Sequence, residues 1–292
     1  MIHDAGRSDS EYSNLEDITV QQATNQLQLI SNLDQKLLSY SPDGSALQKV
    51  KKLPKRFIGM KSTQQGYWGY TGNSSRDSLT LWQMDNQVNS PKGYIDINSG
   101  FRDYFISGIN YFSSYGTNTY FTRFMDYNIY LLKPGHQPRI AYTLDFGEAA
   151  WPEEVNTLAL MDKMSFIEKA GYIESLRYFQ ETNDFVAASF IFGGQQRIGL
   201  YNKVEKTAQV YALTPVTQKY FFSFGQVIGI TENEIFTLVD AARMMNFIAG
   251  HDARNNNFEE KYPQQIKRLR KDLGHIKINE QSNPFLISYK IH

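Results

Sequence analysis

The sequence predicts an all-β fold, a β-propeller of four-stranded antiparallel blades with short helical insertions. Short runs of alternating apolar and polar residues come in sets of four, and the sets recur about every 40–50 residues. Aromatic residues make up 14% of the chain, with 19 Tyr and 19 Phe, which suits half-buried pleated sheets. We therefore expect residues 1–292 to form a single propeller domain.

The first set of strands lies in residues 15–52. Its runs read LEDITV, QLQLIS, KLLSYS and ALQKVKKL, and the second alternates leucine with glutamine as a half-buried strand does. Pro42-Asp43-Gly44 separates the last two runs. Proline presets the φ of a turn, aspartate caps its own backbone, and glycine accepts a positive φ. Four short strands joined in this way form an antiparallel meander, which is the repeating unit of a propeller.

Later sets repeat the pattern without repeating a motif, so the prediction rests on period rather than on sequence identity. In the third set, YFISGINYF (104–112) and TYFTRFM (119–125) are expected to be the first two strands. The segment GGQQRIG (193–199) falls between two predicted strands, which indicates a hairpin turn rather than a phosphate-binding loop. The later sets occupy residues 57–98, 104–146, 172–213 and, in part, 220–239.

Two segments interrupt the strand pattern and predict helical insertions, near 153–170 and 240–274. The first begins with Pro152 followed by two glutamates, residues that favour the start of a helix. The second contains the basic cluster Lys267-Arg268-Arg270-Lys271. Mixed charge of this kind is typical of the solvated face of a helix.

Composition excludes several classes of function. The formal net charge is zero, which argues against a nucleic-acid-binding surface. The chain contains no cysteine, so disulfides, thiolate metal sites and thiol catalysis are excluded. No run approaches the roughly 18 apolar residues of a transmembrane segment. The polar N-terminus MIHDAGRSDSEYSN lacks the apolar core of a signal peptide.

The sequence shows no catalytic constellation. No two histidines stand at ligand spacing, His136 lies in a Pro- and Gly-bearing turn, and no Gly-x-Ser-x-Gly motif is present. Oxygen ligands from several blades hold calcium in some propeller enzymes. Whether the carboxylates of this chain converge in that way is left open by the sequence. The scattered candidates are Asp17, Asp126, Asp145 and Asp184.

Aromatic residues give the candidate ligand-binding positions. Tyr67 and Trp68 lie next to Gly66, close to a turn, and Arg102, Arg123 and Asp126 are polar residues among aromatic ones. Aromatic rings stack on sugars or peptides, but they also fill the space between propeller blades. A polar group in such surroundings belongs either to a satisfied buried network or to a ligand site. The sequence does not separate these alternatives.

Several stretches together resemble an uncharacterised family of bacterial six-bladed β-propellers, the NHL-like group often found as envelope lipoproteins. GRSDSEYSNLEDITV resembles its Gly-x-Gly-Pro-x-Glu-Tyr element, with Ser8 and Asp9 in place of the second Gly and the Pro. NPFLISYKIH resembles its closing strand. The resemblance implies a periplasmic or outer-envelope location. It also implies a missing signal and first blade, so we expect about five blades or a ring with a gap.

The leading functional expectation is a non-enzymatic binding or scaffold protein without a cofactor. Its partner would be a peptide, a glycan or another protein, not a nucleic acid. The alternative is a calcium-dependent hydrolase, lactonase or lyase with its site in the axial channel. A third reading is a truncated remnant without activity, which predicts low solubility because neighbouring repeats are missing.

Overall fold

The computed structural model describes residues 12–73, 77–102, 110–193, 195–212, 226–250, 258–261, 263–279 and 282–290. The chain forms two compact units, Met1–Phe179 and Gln180–His292. The described part contains five antiparallel sheets, four with four strands and one with three. We call these sheets blades 1 to 5, in chain order.

Blade 1 confirms the predicted opening meander. The turn at Pro42-Asp43-Gly44 reverses the chain: the carboxylate of Asp43 accepts from the backbone N of Ser45 at 3.0 Å, and Gly44 has φ of 71°. Each strand pairs with the next along the chain. The strands are β1 (Asp17–Val20), β2 (Leu27–Ser31), β3 (Lys36–Tyr40) and β4 (Leu47–Lys52).

Blades 2 and 3 follow the same plan. Most of the strand predicted at 104–112 lies outside the described residues, since 103–109 are not among them. The described part of this hairpin pairs Phe112–Tyr115 with Asn118–Phe121 around Gly116, whose φ is 57°. Blade 2 contains β5 (Gly59–Thr63), β6 (Gly66–Tyr70), β7 (Leu79–Met84) and β8 (Lys92–Asp96). Blade 3 contains β9 (Phe112–Tyr115), β10 (Asn118–Phe121), β11 (Asn128–Leu132) and β12 (Arg139–Thr143).

Blades 4 and 5 complete the set. The predicted hairpin at 193–199 is confirmed, since Phe192 pairs with Gln195. The third strand of blade 5 comes from the C-terminal segment and pairs with the strand at 234–239. Blade 4 contains β13 (Ile173–Glu181), β14 (Phe185–Phe192), β15 (Gln195–Asn202) and β16 (Thr207–Ala212). Blade 5 contains β17 (Gln226–Ile230), β18 (Glu234–Val239) and β19 (Phe285–Lys290).

The helices lie in the two segments that break the strand pattern of the sequence. Asp240 caps the second α-helix, its carboxylate accepting from the backbone N of Arg243 at 2.7 Å. Among the described residues, no helix is both long and apolar enough to cross a membrane. The α-helices are α1 (Leu160–Ala170), α2 (Ala241–Ala249), α3 (Phe258–Lys261) and α4 (Pro263–Leu273); 3-10 turns occupy Ser99–Phe101, Gly147–Ala149 and Glu153–Thr157.

Within the first unit, successive blades pack face to face through apolar side chains. Ile30 and Leu37 of blade 1 meet Phe57, Met60 and Tyr67 in one buried cluster. A second cluster joins blade 2 to blade 3; it contains Trp68, Tyr70, Leu81, Tyr94, Tyr111, Phe112, Phe121 and Leu132. The repeated meander and this packing confirm the predicted all-β, β-propeller class.

Candidate functional site

The first strands of blades 1 to 4 lie side by side in the first unit. The carboxylate of Asp17, at the start of β1, accepts from the backbone N of Met60 in β5 at 2.8 Å. Next to β9, the backbone N of Asn110 donates to the carbonyl oxygen of Arg177 in β13 at 2.9 Å. These strands are therefore the innermost of their blades, and the charged side chains near their N-terminal halves share one region.

We call the charged and phenolic side chains of this region the inner-strand cluster. Each of the four blades contributes at least one member from its first strand or from the residues just before it. Electrostatic coupling links the members across blades: Tyr111 interacts with Glu16, Asp17 and Arg177, and Lys61 with Asp17. The members are Glu16 and Asp17 (blade 1), Lys61 (blade 2), Tyr111 (blade 3) and Arg177 (blade 4).

Gly59 allows this close approach of three blades. A Cβ atom at Gly59 would lie 3.0 Å from Cδ2 of Tyr111 and 3.7 Å from Oδ2 of Asp17. Any side chain at this position would push the tyrosine ring away from β5. The glycine at the start of β5 thus places the aromatic ring and the carboxylate next to each other.

Asp17 is half-buried, and its surroundings shift the pKa of its carboxyl group. Its two oxygens accept backbone N–H groups, Oδ1 from Ile18 and Oδ2 from Met60, each at 2.8 Å. Burial raises the pKa of Asp17 to about 6, against the opposing effect of these hydrogen bonds and of Lys61. The carboxylate is therefore close to its titration range at neutral pH.

Glu16 and Lys61 are also half-buried, and burial acts on both. It raises the pKa of Glu16, opposed by hydrogen bonds from Asn32 and Asn14. It lowers the pKa of Lys61, opposed by the nearby charge of Asp17. Each group is thus partly removed from water while it carries charge.

None of these three charged groups forms an ion pair among the described residues, although Asp17 and Lys61 interact electrostatically. The ion pairs of the described residues lie elsewhere: Lys55–Asp77, Arg123–Asp126, Lys203–Glu181 and Arg270–Glu259. Charges that are desolvated but unpaired are costly. Titratable groups perturbed in this way are candidates for a functional site.

Tyr67 and Trp68, which the sequence marks as ligand-binding candidates, lie within the blade packing. Each exposes only 1% of its surface. The hydroxyl of Tyr67 accepts from Nε2 of Gln28 at 2.9 Å, and the ring of Trp68 lies 5.5 Å from that of Tyr94. Both residues thus contribute to contacts within and between blades.

Arg123 and Asp126, two further candidates, form a corner between blades 2 and 3. Nε of Arg123 donates to Asp126 at 2.6 Å, and its Nη1 donates to the carbonyl oxygen of Asp96 at 2.7 Å. The same carboxylate accepts from the hydroxyl of Tyr130 at 2.8 Å and from the backbone N of Asn128 at 3.0 Å. The corner is a satisfied polar network with only 8% of Asp126 exposed.

Arg102, the last candidate, is exposed and follows the 3-10 turn Ser99–Phe101. Its backbone N donates to the carbonyl oxygen of Ser99 at 3.4 Å. The residues after it, 103–109, lie outside the described residues. The structure therefore does not bring Arg102 together with the inner-strand cluster through any described hydrogen bond or ion pair.

Sequence reasoning named Asp17 among scattered carboxylates but missed Glu16, Lys61 and Arg177. The signal was positional: each lies in, or just before, the first strand of a meander. Superposing the meanders on their first strands would have brought these positions together. For metals, the described residues contain no group of three or more His, Cys, Asp or Glu that could hold an ion.

Comparison with known proteins places the chain by sequence and by fold. The family described as Domain of unknown function (DUF4934) matches residues 1–290. No curated protein sequence is significantly similar to the chain. Among solved structures, a "Putative exported protein" from Bacteroides fragilis is similar with a TM-score of 0.70 and 16% identity, covering 98% of this chain and 79% of that one.

Two further solved structures are more distant and carry no argument about function. A member of the DUF4221 family from Bacteroides vulgatus has a TM-score of 0.48 and 9% identity, covering 81% of this chain and 76% of that one. A gluconolactonase from Xanthomonas campestris has a TM-score of 0.41 and 11% identity, covering 76% of this chain and 69% of that one.

Proposed function

We propose that this chain, which belongs to the family Domain of unknown function (DUF4934), is a non-enzymatic binding protein of the cell envelope. Its ligand contacts the inner-strand cluster. The observation that carries the proposal is the presence of three half-buried charges, Glu16, Asp17 and Lys61, without an ion pair among the described residues.

The free-energy cost of desolvating an unpaired charge supports this proposal. Charges that serve only the fold are paired or fully solvated, because an unpaired desolvated charge destabilises the folded state. A ligand that supplies the missing partners recovers this free energy on binding. Sites where local rules of stability are broken are often functional ones. The cluster meets that description, and its members lie on, or next to, the first strands of packed blades.

The envelope location is supported by two observations. The similar Bacteroides fragilis protein is named as exported, and the sequence resembles a propeller family often found in bacterial envelopes. Fractionation of cells that express the gene from its native locus tests this part. Recovery in the periplasmic or membrane fraction is expected, and recovery in the cytosolic fraction alone would refute it.

The binding proposal is tested by a ligand screen with matched variants. Libraries of peptides, glycans and small metabolites are screened by thermal shift against the purified chain, and hits are measured by calorimetry. Asp17→Asn is expected to weaken a true ligand at least tenfold. Asp184→Asn, which alters an exposed aspartate, serves as the matched control and is expected to leave affinity unchanged.

Two outcomes would overturn the proposal. The first is the absence of any ligand sensitive to Asp17→Asn. The second is a tightly bound, stoichiometric divalent ion whose removal abolishes hydrolysis of a substrate, which would identify the calcium-dependent enzyme instead. Metal analysis of the purified protein before and after chelation distinguishes this second outcome.

A further inference from the structure

The last strand of blade 1 differs in charge from the last strands of the other blades. β4 contains Lys49, Lys51 and Lys52, and Arg56 follows it in the chain. The strands β8, β12, β16 and β19 each contain at most one basic residue. A lysine on an outer strand protects a sheet edge against pairing with another strand, but this role does not account for three. We call Lys49, Lys51, Lys52 and Arg56 the basic edge.

Two lysines of the basic edge lie at the boundary with blade 2. Lys51 is opposite Leu37 of β3, which packs against blade 2, and Lys49 lies on the same side of the sheet because side chains alternate along a strand. Nζ of Lys51 donates to the carbonyl oxygen of Asn86 at 2.5 Å. Nζ of Lys49 donates to Oε1 of Gln87 at 3.4 Å. An ammonium group has three donors, so both lysines keep donors for a ligand.

The other two members of the basic edge are exposed. Lys52 lies directly opposite Lys36 of β3, and like charges in such a cross-strand pair destabilise a sheet. Neither Lys52 nor Arg56 forms an ion pair among the described residues. An anionic ligand would therefore meet positive charges that the described part of the fold leaves unpaired.

The basic residues of this region outnumber the carboxylates that act on them. Burial lowers the pKa of Lys51, and the charge of Lys49 lowers it further, so the two lysines repel each other. The carboxylates that interact with the region are Asp34, Asp77 and Asp85. The excess of positive charge favours a ligand that carries several negative charges. The basic residues are Lys36, Lys49, Lys51, Lys52, Lys55 and Arg56.

From this arrangement we infer that the basic edge binds an anionic polysaccharide, whose sulfate or carboxylate groups pair with its cations. The basic residues follow a single strand, whereas in the last strand of blade 2 the charges of Lys92 and Asp96 offset each other. A line of positive charge suits a linear polymer, while a membrane surface would extend over several blades. This site is separate from the inner-strand cluster and would exist whether or not that cluster binds a ligand.

The first experiment compares polymers that differ in charge. Dextran sulfate and polygalacturonate are titrated into the full chain by calorimetry, with neutral dextran as the matched control. At least one of the two anionic polymers is expected to bind, which also distinguishes sulfate from carboxylate as the preferred group. Its affinity should fall by about tenfold or more between about 50 mM and about 300 mM salt, because salt screens exposed charges. Neutral dextran should not bind.

Variants with the same loss of charge then locate the site. Replacement of all three lysines of β4 by glutamine is expected to weaken the polymer at least tenfold. The triple variant Lys267→Gln, Arg268→Gln and Lys271→Gln alters exposed residues of α4 and should bind as the unaltered chain does. Thermal unfolding verifies that each variant is folded. If the β4 variant does not fold, the double variant Lys52→Gln and Arg56→Gln, which alters only exposed side chains, is expected to weaken binding by a smaller factor.

Three results would overturn the inference. The first is that neither anionic polymer binds. The second is that the β4 and α4 variants weaken binding equally, because net charge rather than the basic edge would then be responsible. The third is that anionic phospholipid vesicles or duplex DNA bind more tightly than both polysaccharides and depend on the same lysines. Asp17→Asn should bind the polymer as the unaltered chain does, and a polymer that is sensitive to this variant but not to the lysines of β4 would refute the assignment.

Discussion

Two polar regions of the first unit lie close together yet are built in opposite ways. At the corner between blades 2 and 3, Asp126 accepts from an arginine, a tyrosine and a backbone N–H. In the inner-strand cluster, Asp17 accepts only backbone N–H groups, and Lys61, which interacts electrostatically with Asp17, forms no hydrogen bond or ion pair among the described residues. The first region satisfies its charges internally, and the second leaves them for another molecule.

Polarity among aromatic residues does not by itself mark a binding site. Both regions contact the same aromatic core: Tyr130, which donates to Asp126, packs against the buried cluster that contains Tyr111. What separates them is whether each buried charge has a partner. The network at the corner links blade 2 to blade 3. The cluster contains desolvated charges, and a ligand that pairs with them offsets the cost of their desolvation.

The largest effect is expected at the corner. Asp126→Ala leaves the guanidinium of Arg123, whose side chain is 16% exposed, without its carboxylate. Breaking a buried pair from one side destabilises by about 3–5 kcal/mol. Chemical denaturation measures the loss, and the double variant with Arg123→Ala isolates the pair. A loss below about 1 kcal/mol would show that the corner is not the fastening described.

At Asp17 we expect the opposite effect on stability, because removal of its charge should stabilise the folded chain at neutral pH. Its pKa in the folded chain, about 6, exceeds the ordinary value of 3.8, so the folded state binds more protons between these pH values. Stability therefore falls as pH rises from about 4 to about 6, by at most about 3 kcal/mol. Asp17→Asn removes this dependence and, after the loss of one acceptor, is expected to be about 1–2 kcal/mol more stable at pH 7.

Denaturation midpoints of the unaltered chain and of Asp17→Asn between pH 4 and pH 7 measure this prediction. Glu16, whose pKa burial also raises, remains in both proteins, and because its charge acts on Asp17 the difference reports the titration of the two coupled carboxylates. A difference that stays constant with pH would contradict a desolvated Asp17. If Asp17→Asn is more stable than the unaltered chain but does not bind ligand, then Asp17 lowers the stability of the fold while it serves binding.

Replacement of Gly59 tests whether the cluster depends on the close approach of blades 1, 2 and 3. Gly59→Ala places a methyl group 3.0 Å from the ring of Tyr111, and the ring must shift. Overpacking of this kind destabilises by about 1–3 kcal/mol. We expect a loss near the lower end, with ligand affinity reduced as well. Gly229→Ala is the control, since its nearest neighbour would be 3.7 Å away.

The smallest effect is expected at a paired but exposed site. Lys55 and Asp77 form an ion pair at 2.5 Å, with 22% and 41% of their side chains exposed. Exposed pairs contribute about 0–1 kcal/mol. A double-mutant cycle with alanine at both positions should give a coupling in that range, weaker at high salt. A coupling as large as that of the corner would remove the contrast between buried and exposed pairs.

Much of the fold follows from sequence because its determinants are local. The Pro42-Asp43-Gly44 turn and the alternation along QLQLIS define blade 1, and β1 to β4 form where these patterns indicate. The strand predicted at YFISGINYF lies mostly outside the described residues, where β9 covers Phe112–Tyr115 and Gly116 forms the hairpin turn. The six-bladed type stays a prediction.

The candidate site was less accessible to sequence reasoning, because it depends on contacts between distant residues. Asp17 meets Met60 across 43 positions, and both the Tyr111 ring and the Asp17 carboxylate lie near the space that a Cβ atom at Gly59 would occupy. Nothing local in GMKST marks Lys61 as unpaired. The aromatic and polar residues that sequence does favour, Tyr67, Trp68, Arg102, Arg123 and Asp126, remain untested as ligand contacts.

The central claim is that the inner-strand cluster contains desolvated charges with which a ligand pairs. Titration of Asp17 tests this claim most directly. Carbon-13 NMR of aspartate carboxyl groups follows the titration, and Asp17→Asn assigns the signal. We expect a pKa of about 6 in the free chain, and a change in this pKa when a ligand binds the cluster. A pKa near 3.8 in the free chain, or a value that no bound ligand changes, would contradict the account.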